Sequence, residues 1–452
     1  MVAAATIALA SRAGTALRVA TGLVSHTLCS DTFVAGRDPD RTVAETFGSM
    51  PILRRLLPAM RYRVDRERGE VRVSLLGLLE SRAGYRPGLG CTLIAAGGPP
   101  PVGAAPDLEP VVPRLGAIAG PAVVEPADEH LRQALDHAFA DPPDGPARDT
   151  KAVVVLHHDR VVAERYAPGW DVDTPLLGWS MSKSVVNALV GVLGRQGRLS
   201  LAGPAPVPAW RDPGDPRHAI TIEQLMRMTS GLALDETNSV NPSSRMLFVE
   251  PDMAAFAERA PLIAPPGTRY HYSSPSTLIL SRIVRDAVGG RPEDVIRFAH
   301  RELFGPLGLR GVTMEFDAAG TPVGSSYVYA TARDWARLGL LYTHDGVVGG
   351  QRILPEGWVD FSASWTPGSR DGYGAGFFTN RGASEYGLLR VRGGMPPGSF
   401  FASGTQGQRI VIAPAEGLVV VRLGRSQDWE TFDIRGLIRL VADTNTALNG
   451  PP

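Results

Sequence analysis

The sequence predicts an α+β domain in which an antiparallel sheet is flanked by helices and carries a helix-rich inserted region. Three observations carry that expectation. Strand-like runs occur early, Ala152–Leu156 and Arg160–Glu164, and return late, Gln408–Ile412 and Leu418–Arg422. The stretch between them, roughly 220–345, is rich in helical patterns, and a terminal helix is expected from about Thr431 to Ala447. Strands at both ends with helices between them require the two ends of the domain to share one sheet.

The elements follow in order. Met1 to Leu28 is rich in Ala, Val and Leu but is broken by Arg12 and Arg18. It lacks the uncharged length of a membrane span and the leading positive charge of a signal peptide. Residues 1–28 are therefore read as a separate apolar segment, of the kind left by export or anchoring. Residues 29–113 are read as an accessory region and linker. Tyr62 and Val64, then Val71, Val73 and Leu75, alternate on either side of Gly69, which predicts a hairpin. From Gly97 to Pro113 the chain is dense in Pro, Gly and Ala, the composition of a wrapped loop. The main domain spans 114–452, its first two strands joined by a His157-His158-Asp159 turn, with Lys151 read as a solvated strand end.

With 452 residues, 44% hydrophobic and 20% charged, the chain has ample material for a core. A formal net charge of zero and no long basic block exclude nucleic acid and an anionic membrane surface as expected partners. Composition sets no oligomeric state. Cys29 and Cys91 are the two cysteines; one disulfide in an oxidising compartment and two buried thiols both remain open. An extracytoplasmic location is favoured over a cytoplasmic one. No zinc spacing is present, and His130 and His137, a heptad apart, lack acidic ligands in a recognised spacing, so neither metal nor cofactor is expected.

Lysine usage is the sharpest chemical signal. Lys151 and Lys183 are the only lysines among 46 Lys and Arg residues. Arginine stays protonated, whereas a lysine amine loses its proton where its surroundings disfavour charge. Lys183 closes Ser180-Met181-Ser182-Lys183, ahead of an apolar run through Val185, Val186, Leu189, Val190 and Leu193. That run has no polar face and reads as a buried helix, with Gly197 as its stop. Ser180 then falls at the helix N-terminus with Lys183 over the same face. The positive end of the helix disfavours an ammonium and favours an oxyanion. A serine and an amine so placed form a nucleophile–base pair.

Two further constellations follow. In Tyr270-His271-Tyr272-Ser273-Ser274-Pro275, Ser274 and Pro275 read as the N-cap and first turn of an apolar helix. Tyr272 on the preceding loop could relay protons to and from a serine oxygen. In Ala402-Ser403-Gly404-Thr405-Gln406-Gly407, leading into a late strand, glycines let backbone approach a substrate. The Thr405 and Ser180 N–H groups could there form an oxyanion hole.

This order of motifs follows the logic of penicillin-recognising serine enzymes. The chain resembles the serine β-lactamase-related family, which includes class C β-lactamases, D-alanyl-D-alanine carboxypeptidases, esterases and 6-aminohexanoate-dimer hydrolases. Supporting segments are Leu225-Met226-Arg227-Met228-Thr229-Ser230-Gly231-Leu232, Pro266-Gly267-Thr268-Arg269 and Ala330-Thr331-Ala332-Arg333-Asp334. The resemblance covers roughly 120–445 and implies a β-lactamase/transpeptidase-like fold. It also implies Ser180 as the acylated nucleophile, Lys183 as its amine partner and Tyr272 as proton shuttle. Thr405, Gly404 and Ser274 become the oxyanion and substrate-binding residues. Two departures stand out. Ser274 replaces the Asn of the family's Tyr-x-Asn pattern, and Ala402 replaces the Lys or His of its third motif. Loss of a carboxamide and of a cation argues against penicillins and D-alanyl peptides with free carboxylates, so a small ester or uncharged amide is the expected substrate.

A Ser-His-Asp hydrolase is the mechanistic rival, because Gly178-Trp179-Ser180-Met181-Ser182 nearly forms a nucleophile elbow. Its last glycine is absent, and His218, His271, His300 and His344 have no persuasive setting. A rival of another class is a penicillin-binding sensor that acylates without turnover.

Overall fold

The computed structural model describes residues 12–48, 50–99, 101, 103–234, 236, 241–426 and 435–450. The two predicted hairpins do meet in one sheet. Strands β5 (Thr150–His157) and β6 (Arg160–Tyr166) follow a four-stranded N-terminal sheet, β1 (Met60–Asp65), β2 (Glu70–Leu75), β3 (Leu79–Arg86) and β4 (Gly90–Ile94). Late in the chain come β10 (Phe378–Thr379), β11 (Phe400–Gly404), β12 (Gln408–Ala413) and β13 (Leu418–Gly424), after the short strands β7 (Leu176–Leu177), β8 (Thr313–Met314) and β9 (Val328–Ala330). The main sheet has the order β10-β11-β12-β13-β5-β6, antiparallel throughout, and Val420 of β13 pairs with Val155 of β5.

Alternation along these strands divides the core. Val153, Val155, Val411 and Val420 face helices α2 (Glu129–Phe139) and α8 (Ile438–Asn449). Ala152, Val154, Ile410 and Val421 face the larger cluster, with helices α3 (Ser182–Arg195), α5 (Ser274–Val288) and α6 (Ala332–Thr343). Period-two burial on both faces of a sheet is what a helix layer on each side requires. The expected start of the last helix at Thr431 lies outside the described residues.

The N-terminal part departs from its expected division. Helix α1 (Arg12–Phe33) runs through the boundary drawn at residue 28. Ala20, Val24 and Leu28, four residues apart, bury against Val71, Val73 and Ala83 of the four-stranded sheet. A side chain at Gly22 would collide with the carbonyl of Phe248, so α1 also lies directly on α4 (Pro242–Val249). Within the described residues, the apolar positions of Arg12 to Leu28 are thus core material. Cys29 and Cys91 are both fully buried and form a disulfide. Glu315, fully buried, joins this layer to the main domain by accepting from Ser30 Oγ at 2.8 Å and Cys91 N at 2.7 Å, with His26 Nε2 3.2 Å away. Lys151 is no solvated strand end either. It is 7% exposed and pairs with Asp149 at 2.6 Å, because β5 is covered there by the N-terminal layer.

Candidate active site

The turn before α3 is shaped by sequence-distant contacts. β7 pairs with β9, and Gly178 N donates to Val328 O at 2.9 Å. The chain then tightens into a 3₁₀ turn, Trp179–Met181, with Trp179 at φ 47°. A bulky residue in the left-handed region is strained, and such strain is held only by surrounding structure. Here the indole fixes it, since Trp179 Nε1 donates to Gln406 Oε1 at 3.3 Å. Ser180 therefore sits in a 3₁₀ turn two residues ahead of the start of the α-helix, where its hydroxyl reaches the cleft.

Lys183 lies on the first turn of α3 and is 3% exposed. Its Nζ has three oxygen neighbours: Ser180 Oγ at 2.9 Å, Ser274 Oγ at 3.0 Å and Ser325 O at 3.0 Å. A neutral amine has two N–H donors and one lone pair. The Ser325 carbonyl can only accept and Ser274 takes the second N–H, so the lone pair is left for the Ser180 hydroxyl proton. Burial lowers the Lys183 pKa to about 8, against an opposing effect from Glu236.

Tyr272 hydrogen-bonds Ser180, and its ring centre lies 5.0 Å from Lys183 Nζ. Tyr373, edge-on at 5.5 Å, and Phe378 at 6.1 Å hold the ring. Burial, reinforced by Tyr373, raises the Tyr272 pKa well above the usual phenol value. The phenol therefore remains neutral near neutral pH and can both donate and accept.

β11 brings up the third motif. A Cβ at Gly404 would collide with the Gly178 carbonyl oxygen, so glycine is required for this strand to lie against the Ser180 turn. The following turn, Thr405–Gly407, is clamped by fully buried Arg422, which donates to Gln406 O and Gly407 O at 3.0 Å each. Ser180, Tyr272, Gly404 and Thr405 line one cleft of about 760 Å³.

Ser274 does not join them at the cleft wall. The helix cap is Ser273, whose side chain accepts from Ser276 N at 3.2 Å. Ser274 is the first helical residue, 4% exposed, and points at Lys183 from behind. Its short hydroxyl is thus a neighbour of the amine.

Four charged residues that the motif reading passed over also line the cleft: Glu236, Asp371, Arg390 and Arg409. Two guanidinium groups thus reach the cleft lining although Ala402 brings no cation. Arg409 of β12 sits opposite Ser403 and donates to Gly404 O at 2.9 Å. Arg390, from α7 (Glu385–Arg392), donates to Asn380 Oδ1 at 2.7 Å and to Asp371 O at 2.8 Å. In a chain this rich in arginine neither had a local signal, and Ser325 contributes only a backbone carbonyl. Among the described residues no cluster of His, Cys, Asp and Glu fits a metal ion, and no helix is long and apolar enough to cross a membrane.

This fold, with its serine–amine pair beside the edge of an antiparallel sheet, is that of the β-lactamase and transpeptidase superfamily of serine hydrolases. The Beta-lactamase family model matches residues 135–443, and the chain belongs to that family. It is 27% identical over 315 residues to the 6-aminohexanoate-dimer hydrolase of Paenarthrobacter ureafaciens, covering 66% of this chain and 79% of that protein. Among solved structures, a penicillin-binding protein homolog from Caulobacter crescentus superposes with a TM-score of 0.55 at 19% identity, covering 74% of this chain and all (100%) of that one. A family VIII carboxylesterase superposes with a TM-score of 0.54 at 16% identity, covering 72% and 99%. At such identities the superpositions establish the fold.

Proposed function

We propose that this protein is a serine hydrolase that turns over an ester or amide through an acyl-enzyme. The observation that carries the reading is the buried Lys183 amine 2.9 Å from Ser180 Oγ, with its remaining hydrogen-bond directions occupied. Ser180 Oγ attacks the substrate carbonyl carbon as its proton passes to Lys183 Nζ, with backbone N–H groups of Ser180 and Thr405 facing the oxyanion. The bond to the leaving group breaks as Tyr272 gives it a proton, and Tyr272 regains one from the Lys183 ammonium. Water then attacks the acyl ester, its proton returns through the same groups to Ser180 Oγ, and the acid is released.

A relative named for 6-aminohexanoate-dimer hydrolysis favours the ester and amide side of the family over β-lactam or D-alanyl peptide turnover. Arg390 and Arg409 remove the argument that a substrate carboxylate would find no cation. Charge on the substrate is therefore no ground for exclusion. The buried Cys29–Cys91 disulfide supports an oxidising, extracytoplasmic setting.

The test is intact-mass analysis after a fluorophosphonate, followed by ester, amide and β-lactam panels. One adduct on Ser180 and turnover of an ester or amide is the expected result. Labelling at another residue refutes the assignment, and a stable β-lactam adduct without turnover makes the protein a sensor.

A further inference from the structure

Glu236 belongs to none of the three motifs, yet it lines the cleft with Ser180 and Tyr272. Its Oε1 accepts the backbone N–H of Ser274, the first residue of α5. As the first N–H of the helix this donor has no partner within the helix itself, and a carboxylate suits it well. The same Ser274 presents its Oγ 3.0 Å from Lys183 Nζ. One residue thus joins carboxylate and amine, through its backbone on one side and its hydroxyl on the other.

The chemistry gives that link a purpose. When Lys183 takes the Ser180 proton, the Oγ–H bond breaks, an N–H bond forms and a full positive charge appears on Nζ. The oxygens at hydrogen-bond distance from Nζ, on Ser180, Ser274 and Ser325, are neutral groups before the transfer. A buried ammonium with neutral partners is costly unless a carboxylate lies close. Other titratable or charged groups facing this space are Tyr272 ahead of α5, Asp371 and Tyr373 on the loop before β10, Tyr386 and Arg390 on α7 and Arg409 on β12. Of the two cleft carboxylates, Asp371 is engaged by Tyr270 Oη at 3.3 Å, whereas the charge of Glu236 acts on Lys183 and favours its protonated form.

We propose that Glu236 is a positioning residue for the Ser180–Lys183 pair, holding Ser274 against the amine and supplying the counter-charge for the ammonium formed on acylation. This rests on the acyl-enzyme reading and adds to it the group that governs when Lys183 works as a base.

The experiment measures the rate of Ser180 phosphonylation by a fluorophosphonate against pH, in the full-length wild type, E236Q and E236D. The wild-type rate rises through a pH of about 8. Glutamine keeps an oxygen acceptor for Ser274 N–H but loses the charge, so Lys183 gives up its proton more readily. The rising limb in E236Q moves to lower pH by about half a unit or more, the scale of a Coulomb interaction across a few ångströms of partly hydrated protein. Its plateau falls about tenfold, since a weaker base stabilises the transition state less. E236D keeps the charge and therefore the wild-type limb, at a reduced plateau. A limb in E236Q that superimposes on wild type, or one in E236D displaced as far as in E236Q, overturns the proposal while the acyl-enzyme reading stands. An unlabelled Ser180 in the wild type overturns both.

Discussion

Lys183 Nζ lies 2.9 Å from Ser180 Oγ on an amine that is 3% exposed and has Ser274 Oγ and Ser325 O as its other neighbours. Two of these three contacts reach across 91 and 142 residues of sequence. The pair is local in the chain, and its state of protonation is set by distant parts of it.

Replacing Lys183 by Arg preserves the charge and removes the base. Ester turnover and fluorophosphonate labelling are expected to fall by about 10²–10⁴-fold, the usual worth of a positioned general base. Retention of near wild-type rates would assign the base elsewhere.

The pH dependence has a definite sign. Burial lowers the Lys183 pKa to about 8, and the neutral amine is the base, so kcat/KM for a neutral ester rises with pH through about 8 and then levels off. Stability follows the same group. The unfolded chain binds a proton that the folded one gives up between about 8 and its ordinary 10.5, so Lys183 makes the fold more stable as pH rises across that window. A kcat/KM profile that falls across pH 8 would contradict the assignment.

Tyr272→Phe keeps a ring of the same shape against Tyr373 and Phe378 and removes the hydroxyl that meets Ser180. The melting temperature should change little, while ester turnover drops by about 10²-fold or more. Stopped-flow acylation measured beside steady-state turnover locates the loss.

Gly404→Ala places a methyl group against the Gly178 carbonyl oxygen, which is backbone and cannot swing away. The strand must withdraw from the Ser180 turn, carrying Thr405 with it. A misplacement of about 1 Å costs roughly 10²-fold in rate. Circular dichroism close to wild type with strongly reduced ester turnover is the expected pairing.

Cys29→Ser with Cys91→Ser removes a buried cross-link between α1 and β4. The loss is expected to be about 2–4 kcal/mol, read as a lowered denaturant midpoint. Since both sulfurs are fully buried, mild reductant should leave the native protein oxidised and act only as it unfolds.

Much of this protein was legible in its sequence because it depends on neighbours along the chain. Strand-like runs with turn residues between them placed the two hairpins that share the main sheet, and the three-residue spacing of Ser180 and Lys183 put hydroxyl and amine on one face of a buried helix start. The turn at His158 and Asp159, both at positive φ, likewise follows from local preference. Tertiary structure decided everything that depends on where separate segments cross. It packed Arg12–Phe33 as a helix against the four-stranded sheet and buried Lys151 beside Asp149 and Glu45. It set Ser274 behind the amine, moved the helix cap to Ser273, and gave the cleft Glu236, Asp371, Arg390 and Arg409. Secondary-structure periods and a residue's own chemistry are properties of a few consecutive positions. The proton affinity of a buried amine is a property of the burial and charge around it, and those exist only once the chain has folded.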